Sequence, residues 1–309
     1  MPNVVSASGV RIGWAELPVQ VRAAVERIVG SPVVQASSQP GGFSPGSADR
    51  VLTRGGRRAF VKAAGTEQNE QTVQLHRREA RVAALLPRTV PAPALLGVYD
   101  DGAWIALVFE DVEGRPPHIP WVAEEIHAVL AALARVAAAV VTAEPLPDVA
   151  EFLANDMAGW HRISRHPPTD LDPWARSRLS ALCILSDRAL RALRGKHLVH
   201  TDIRADNLLV RSDGTVAVVD WPWAARGPAW LDRLLLLVNV NLFGGHDVEK
   251  LLAAHVPADR DDITAVLAGL TGYFLDAARQ PSPRGLPTVR AFQSAQGERT
   301  LAWLKSRVD

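Results

Sequence analysis

Strand patterning stops at Glu113-Gly114-Arg115-Pro116-Pro117, and long helical patterns replace it. That switch limits the chain to few architectures. Before it, apolar residues recur at helical spacing over Val19–Val29, behind Pro18. Extended, β-branched runs follow at 33–36, 49–53 and 59–63. The last two are joined by Arg54-Gly55-Gly56-Arg57, a hairpin signal. A helix over 67–86 is stopped by Pro87. Two further strands at 94–99 and Trp104–Glu110 turn at Asp100-Asp101-Gly102. After the switch, helices are predicted over 121–142, 149–163 and 173–193. A short polar interlude, 200–220, carries two small strands around Ser212-Asp213-Gly214, and helices resume to the end. The expected fold is α+β and bilobal: a five-stranded antiparallel meander with one helix inserted after the third strand (residues 1–113), then a mainly helical lobe (114–309).

Composition narrows the function classes. Lys plus Arg number 34 against 33 Asp plus Glu, so the net charge of +1 gives no field that argues for nucleic acid. The single cysteine, Cys183, permits no internal disulfide and fits a reducing cytoplasm. No apolar run reaches the roughly 18 residues of a membrane span, and the N-terminus lacks a signal-peptide pattern. A cytoplasmic protein without a membrane partner is expected.

The chemistry concentrates in His200-Thr201-Asp202-Ile203-Arg204-Ala205-Asp206-Asn207, followed by Val216-Ala217-Val218-Val219-Asp220-Trp221. Singly, each polar residue has an ordinary reading as a turn former or helix cap. Jointly, they sit at fixed offsets between apolar β-type runs, and Asp220 ends a buried strand and so faces a cleft. Phosphoryl transfer needs one carboxylate to take the proton of the attacking hydroxyl, and oxygen ligands to hold magnesium against phosphates. Asp202 suits the first task; Asn207 and Asp220 suit the second. The five-residue offset from Asp202 to Asn207 is that of the kinase catalytic loop H-R-D-x-x-x-x-N. His200 reads as a buried histidine that shapes the loop.

With His-x-Asp, the offset Asn and a strand ending in Asp-Trp, the chain resembles the aminoglycoside phosphotransferase family, antibiotic kinases with a protein-kinase-like fold. The resemblance runs from near Gly41 into the helical lobe. Thr201 and Arg204 depart from it, where Gly and His are usual. The resemblance implies a strand lysine for the α- and β-phosphates, and Lys62 lies in Ala59-Phe60-Val61-Lys62-Ala63. It implies a glutamate on the next helix: Glu79, 17 residues on, beside Val82, Leu85 and Leu86, with Glu67 and Glu70 competing. A loop over the phosphates is expected at Gly41, Gly42 and Ser44. By analogy with kinases, the Glu110 carbonyl and Val112 N–H read the base in a hinge at about 108–114. ATP is the expected donor, with GTP equally compatible, and Mg2+ the expected metal. P-loop, Asp-Phe-Gly and Ala-Pro-Glu strings are missing, so no protein substrate is expected.

The acceptor end is expected after Asp220, where Trp221, Trp223, Arg226 and Trp230 cluster, with Asp232 as a buttress of the loop. A polycationic acceptor requires carboxylate partners, for which Asp156, Asp206, Asp247, Glu249, Asp259, Asp261 and Asp262 are available. The sequence therefore reads as a small-molecule kinase acting on an aminoglycoside or other antibiotic. Metabolite kinases of the choline or homoserine type, and a non-catalytic pseudokinase, are the alternatives.

Overall fold

The computed structural model describes residues 11–39, 45–140, 146–283 and 286–309. Helix α1 (Val19–Val29) ends at Gly30, whose φ of 80° makes the left-handed cap that glycine tolerates best. Strands β1 (Val33–Ser38), β2 (Ser47–Thr53) and β3 (Arg58–Gly65) lead into α2 (Thr66–Leu85), then β4 (Leu95–Asp100) and β5 (Trp104–Glu110). The sheet is antiparallel in the order β1-β2-β3-β5-β4, not the expected meander: α2 carries the chain past β3 to the far edge, so β4 lies outside and β5 returns to pair with β3. Period-two alternation splits its two faces. Ala59, Val61 and Ala63 of β3 join Val21, Val25 and Val29 of α1 in one core. Phe60 and Ala64 pack with Val73, Ala80 and Ala83 of α2 in the other. Lys62 sits on this second face, in the middle of the sheet and under α2. Asn69 kinks α2 (φ −163°, ψ 100°), and its Oδ1 accepts from Thr72 N at 2.8 Å to restart the helix.

The connection after β5 runs close to the helical lobe. Arg115 pairs with Val210, and a Cβ on Gly114 would lie 2.9 Å from the Val210 carbonyl. Helix α3 (Ala123–Ala138) ends four residues short of the 142 expected from sequence. The predicted helix over 149–163 is instead three pieces, α4 (Val149–Phe152), α5 (Ala154–Met157) and α6 (Gly159–Arg165). The 173–193 helix divides into α7 (Pro173–Ser177) and α8 (Leu179–Ala192) at Arg178 (φ −118°). Leu153 (φ −93°, ψ 4°) and Ala158 (φ −77°, ψ 11°) adopt the bridge conformation next to the helical one, so the chain keeps turning and the apolar spacing runs on across the breaks.

Strand β6 (His197–Val199), a 3-10 turn at Ala205–Asn207, the hairpin β7 (Leu208–Val210) and β8 (Val216–Val218), and β9 (Ala225–Gly227) follow. The β7–β8 hairpin lies where the sequence places it. The β6–β9 pair was not expected, because three-residue strands carry too little alternation to read. Helices α9 (Leu231–Phe243), α10 (Val248–His255), α11 (Arg260–Ala278) and α12 (Val289–Val308) complete the lobe. Helix α11 is buried along most of its length, as befits a helix at the centre of a core. It approaches α6 closely: a Cβ on Gly159 would lie 2.3 Å from the Gly272 carbonyl. Among the described residues no helix is long and apolar enough to cross a membrane.

Candidate active site

The loop after β6 is held by buried hydrogen bonds. The Asp232 carboxylate, at the start of α9, accepts the backbone N–H groups of His200 (2.7 Å) and Thr201 (2.9 Å). Those bonds, with one from Thr201 Oγ1 to the Trp223 carbonyl (2.8 Å), hold Thr201 at φ 69°, a left-handed conformation rare for a β-branched residue. The next side chain, Asp202, turns back to Asn207, whose Nδ2 donates to Asp202 Oδ2 at 3.0 Å and to its carbonyl at 2.9 Å. His200 Nδ1 faces the Asp202 N–H (3.3 Å). This network places the proton on Nε2, which donates to the Val219 carbonyl at 3.0 Å. Burial holds His200 below the usual histidine range, so the ring is neutral and acts as a strut between the two halves of the loop. Val219 N–H in turn donates to the Asn207 carbonyl, and Asp220 follows at φ 68°.

Lys62 meets Asp220 from the sheet side. Its Nζ donates to Asp220 Oδ1 at 2.7 Å and to Glu79 at 2.8 and 3.0 Å. Of the three candidate glutamates only Glu79 is buried; Glu67 and Glu70 are exposed. Burial opposes charge on Lys62, but Asp220 and Glu79 outweigh it and raise its pKa. Burial likewise works against ionised Asp220, yet Lys62 pulls that carboxyl well below its usual range. An ammonium held between two carboxylates is thus charged at neutral pH. His76, buried beside Lys62, is held neutral, its pKa pushed down to about 3 by burial and the lysine.

Sequence reasoning missed a clamp on Asp202. Arg204 donates to both Asp202 oxygens (2.8 and 2.9 Å) and to both Asp206 oxygens (3.0 and 3.1 Å). The signal was present as Asp-x-Arg-x-Asp, which puts two carboxylates symmetrically about one guanidinium. Burial pushes the Asp202 carboxyl up, while Arg204 and Asn207 pull it back.

Two cavities flank this loop. The first, about 250 Å3, lies between the sheet and the loop, lined by Lys62, Glu79, Asn207 and Asp220 at one end. Phe60, Phe109, Leu209 and Val219 make an apolar slot at the other, beside Glu110 and Val112. Asp111 ties down the segment after β5 by accepting from Arg50 and Arg58 at 2.7 and 2.8 Å. The second cavity, about 490 Å3, opens on the far side of Asp202. Of the four residues expected there, only Trp223 lines it. Trp221 lines the first cavity instead, Trp230 is buried in the core, and Arg226 is exposed on β9 with its guanidinium on the Leu146 carbonyl. Gly41, Gly42 and Ser44 lie outside the described residues.

Asn207 Oδ1 and Asp220 Oδ2 accept no hydrogen bond from the described residues and belong to the same cavity. Among those residues no group of three or more His, Cys, Asp or Glu gathers to hold a metal. Two hard oxygen ligands are what suits a Mg2+ ion, which fills its other positions with water and phosphate.

The family model of the phosphotransferase enzyme family, APH, matches residues 41–270. A search of curated proteins by sequence gives no match. Solved structures share the fold over nearly the whole chain. An aminoglycoside phosphotransferase from Alicyclobacillus acidocaldarius subsp. acidocaldarius DSM 446 is 17% identical with a TM-score of 0.54, covering 94% of this chain and 95% of that one. Choline kinase LicA from Streptococcus pneumoniae is 14% identical, with a TM-score of 0.62 and coverages of 93% and 98%. A thermostable mutant of the aminoglycoside phosphotransferase APH(4)-Ia, in ternary complex with ADP and hygromycin B, is 15% identical, with a TM-score of 0.60 and coverages of 94% and 100%. With its bilobal kinase-like fold and a family match over most of its length, the chain belongs to the APH phosphotransferase enzyme family.

Proposed function

We propose that the protein transfers the γ-phosphoryl group of ATP to a hydroxyl of a small molecule. The observation that carries this reading is the convergence of Lys62, Glu79, Asn207 and Asp220 on one cavity, with Asp202 lining a second and bonded to Asn207 of the first. The adenine lies in the slot between Phe60, Phe109, Leu209 and Val219, with the Glu110 carbonyl and Val112 N–H as its polar edge. Lys62, braced by Glu79, receives the α- and β-phosphates. Asn207 and Asp220 are the Mg2+ ligands, and the ion supplies neutralisation of phosphate charge.

The acceptor enters from the second cavity. Its hydroxyl oxygen forms a bond to the γ-phosphorus, and the bond to the β,γ-bridging oxygen breaks, its electron pair leaving with ADP. The hydroxyl proton passes to the Asp202 carboxylate. Asn207 and Arg204 fix that carboxylate so that it reaches the acceptor in one orientation, which lowers the entropic cost of the reacting geometry. Binding of ADP in a fold neighbour supports the donor assignment. The domain limits, 1–113 and 114–309, follow the same reading, with the hinge at about 108–114.

The test is ADP release coupled to acceptor phosphorylation across a panel of sugars, aminoglycosides, macrolides and amino alcohols, with mass spectrometry for the added phosphoryl group. Transfer to a hydroxyl supports the reading. A protein that binds ATP and phosphorylates nothing in the panel supports the pseudokinase alternative instead.

A further inference from the structure

The wall of the second cavity is mainly apolar. Phe152, Leu235, Val266, Leu270, Phe274 and Phe292 form much of it, with Trp223 against Phe152 at 5.7 Å between ring centroids. Behind those rings stands a cation: the Arg78 guanidinium lies 4.3 Å over Phe152 and 5.7 Å from Trp223. Carboxylates in the lining are two, Asp202 and Asp156, among the described residues. The other acidic residues available to a polycation are engaged away from the cavity. Asp206 is held by Arg204 and Glu249 by Arg307. Asp247 and Asp259 cap α10 and α11, and Asp261 and Asp262 lie in the exposed first turn of α11.

Asp156 is different. It is half-buried on α5, faces the cavity, and has no hydrogen bond or ion pair among the described residues. Burial pushes its carboxyl up, with only Arg162 in opposition, and Arg162 itself is bound to Asp276. The Tyr273 phenol lines the same cavity; burial, reinforced by Asp156 and Asp202, pushes its pKa up to about 12.

Resting on the phosphotransferase reading, we infer that the acceptor is a largely apolar hydroxyl compound with a single basic nitrogen, its amine paired with Asp156 and its hydroxyl presented to Asp202. The lining's other polar groups are the neutral Thr201, Asn239, Tyr273, Gln293 and Gln296 and the cation of Arg204, so each further ammonium of a polycation would lose hydration without a carboxylate to replace it, a cost that grows with every added charge. A small cation would leave most of the 490 Å3 unfilled. One unpartnered carboxylate in a mainly apolar cavity fits one amine on a largely apolar body.

Calorimetric titration without nucleotide tests this independently of turnover. The probes are erythromycin and propranolol, both monobasic hydroxyl compounds with large apolar bodies. The diol bearing a hydroxyl in place of propranolol's amine, kanamycin and choline complete the set. Both monobasic compounds should bind more tightly than kanamycin or choline, and propranolol about tenfold more tightly than the diol. Asp156→Asn should remove the preference of propranolol over the diol; should that variant not fold, the wild-type ratio alone decides. Tighter binding of kanamycin or choline, equal binding of amine and diol, or no binding of either monobasic probe overturns the inference. ADP release is measured in parallel. A bound probe that is never phosphorylated counts against the transferase reading alone, whereas turnover of a polycation upholds that reading and refutes this inference.

Discussion

Thr201 is a β-branched residue at φ 69°, where left-handed backbone costs an L-residue about 1–2 kcal/mol. Two bonds hold it there, from its N–H to Asp232 and from its hydroxyl to the Trp223 carbonyl. Thr201→Ala keeps the strained backbone and loses the hydroxyl bond, worth about 0.5–1.5 kcal/mol. Thr201→Gly loses the same bond but relieves the strain, against about 0.5–1 kcal/mol of added chain entropy in the unfolded state. The alanine variant should therefore be less stable than wild type by about 1 kcal/mol. The glycine variant should lie within about 0.5 kcal/mol of wild type and above alanine. Urea denaturation reads both as shifts in midpoint at constant slope. Equal midpoints for the two variants, or alanine above glycine, would refute the claim that strain at Thr201 is held by its neighbours.

Other perturbations follow from the same contacts. Asp232→Ala leaves two buried N–H groups without an acceptor and should cost about 2–4 kcal/mol in denaturation, with a fall in kcat as the Asp202 loop loosens. Lys62→Met leaves the buried Glu79 beside the half-buried Asp220 with no cation between them; about 2–4 kcal/mol of stability should go, and ATP titration should show weakened binding. Gly159→Ala drives a methyl into the Gly272 carbonyl and should lower Tm by separating α6 from α11, at a cost of at least about 1–3 kcal/mol. Burial works against ionised Glu125, but the His118 N–H (2.7 Å) and Arg115 (2.6 Å) outweigh it and hold the carboxyl below its ordinary 4.5. The stability it contributes is present above that value and lost as pH falls through the lower, folded-state value. Glu125→Gln should be less stable at neutral pH and show a shallower acid limb in pH-dependent denaturation.

Local patterning carried the five strands and their inserted helix, because β-branched and apolar runs are punctuated by glycine or aspartate turns, while the order of the last two strands depends on tertiary pairing. It also carried Lys62, Asp202, Asn207 and Asp220, whose polar side chains interrupt apolar runs at offsets phosphoryl transfer requires. The choice of Glu79 over Glu67 and Glu70 needed only its apolar neighbours. Tertiary placement was less legible. The breaks at Leu153, Ala158 and Arg178 lie inside continuous apolar spacing. Trp221 and Trp230 share residue type and neighbourhood with Trp223, and only packing sends Trp221 to the first cavity, Trp223 to the second and Trp230 to the core. Asp156 stands out for the partners it lacks, which no spacing encodes.

The central claim is that Asp202 receives the acceptor's proton. Asp202→Asn keeps the shape of the side chain and removes its basicity, so calorimetry should give an ATP affinity close to that of wild type. Transfer of the γ-phosphoryl group to the best acceptor in the panel should fall by about 10²–10⁴-fold in kcat. Undiminished transfer by that variant would contradict the account.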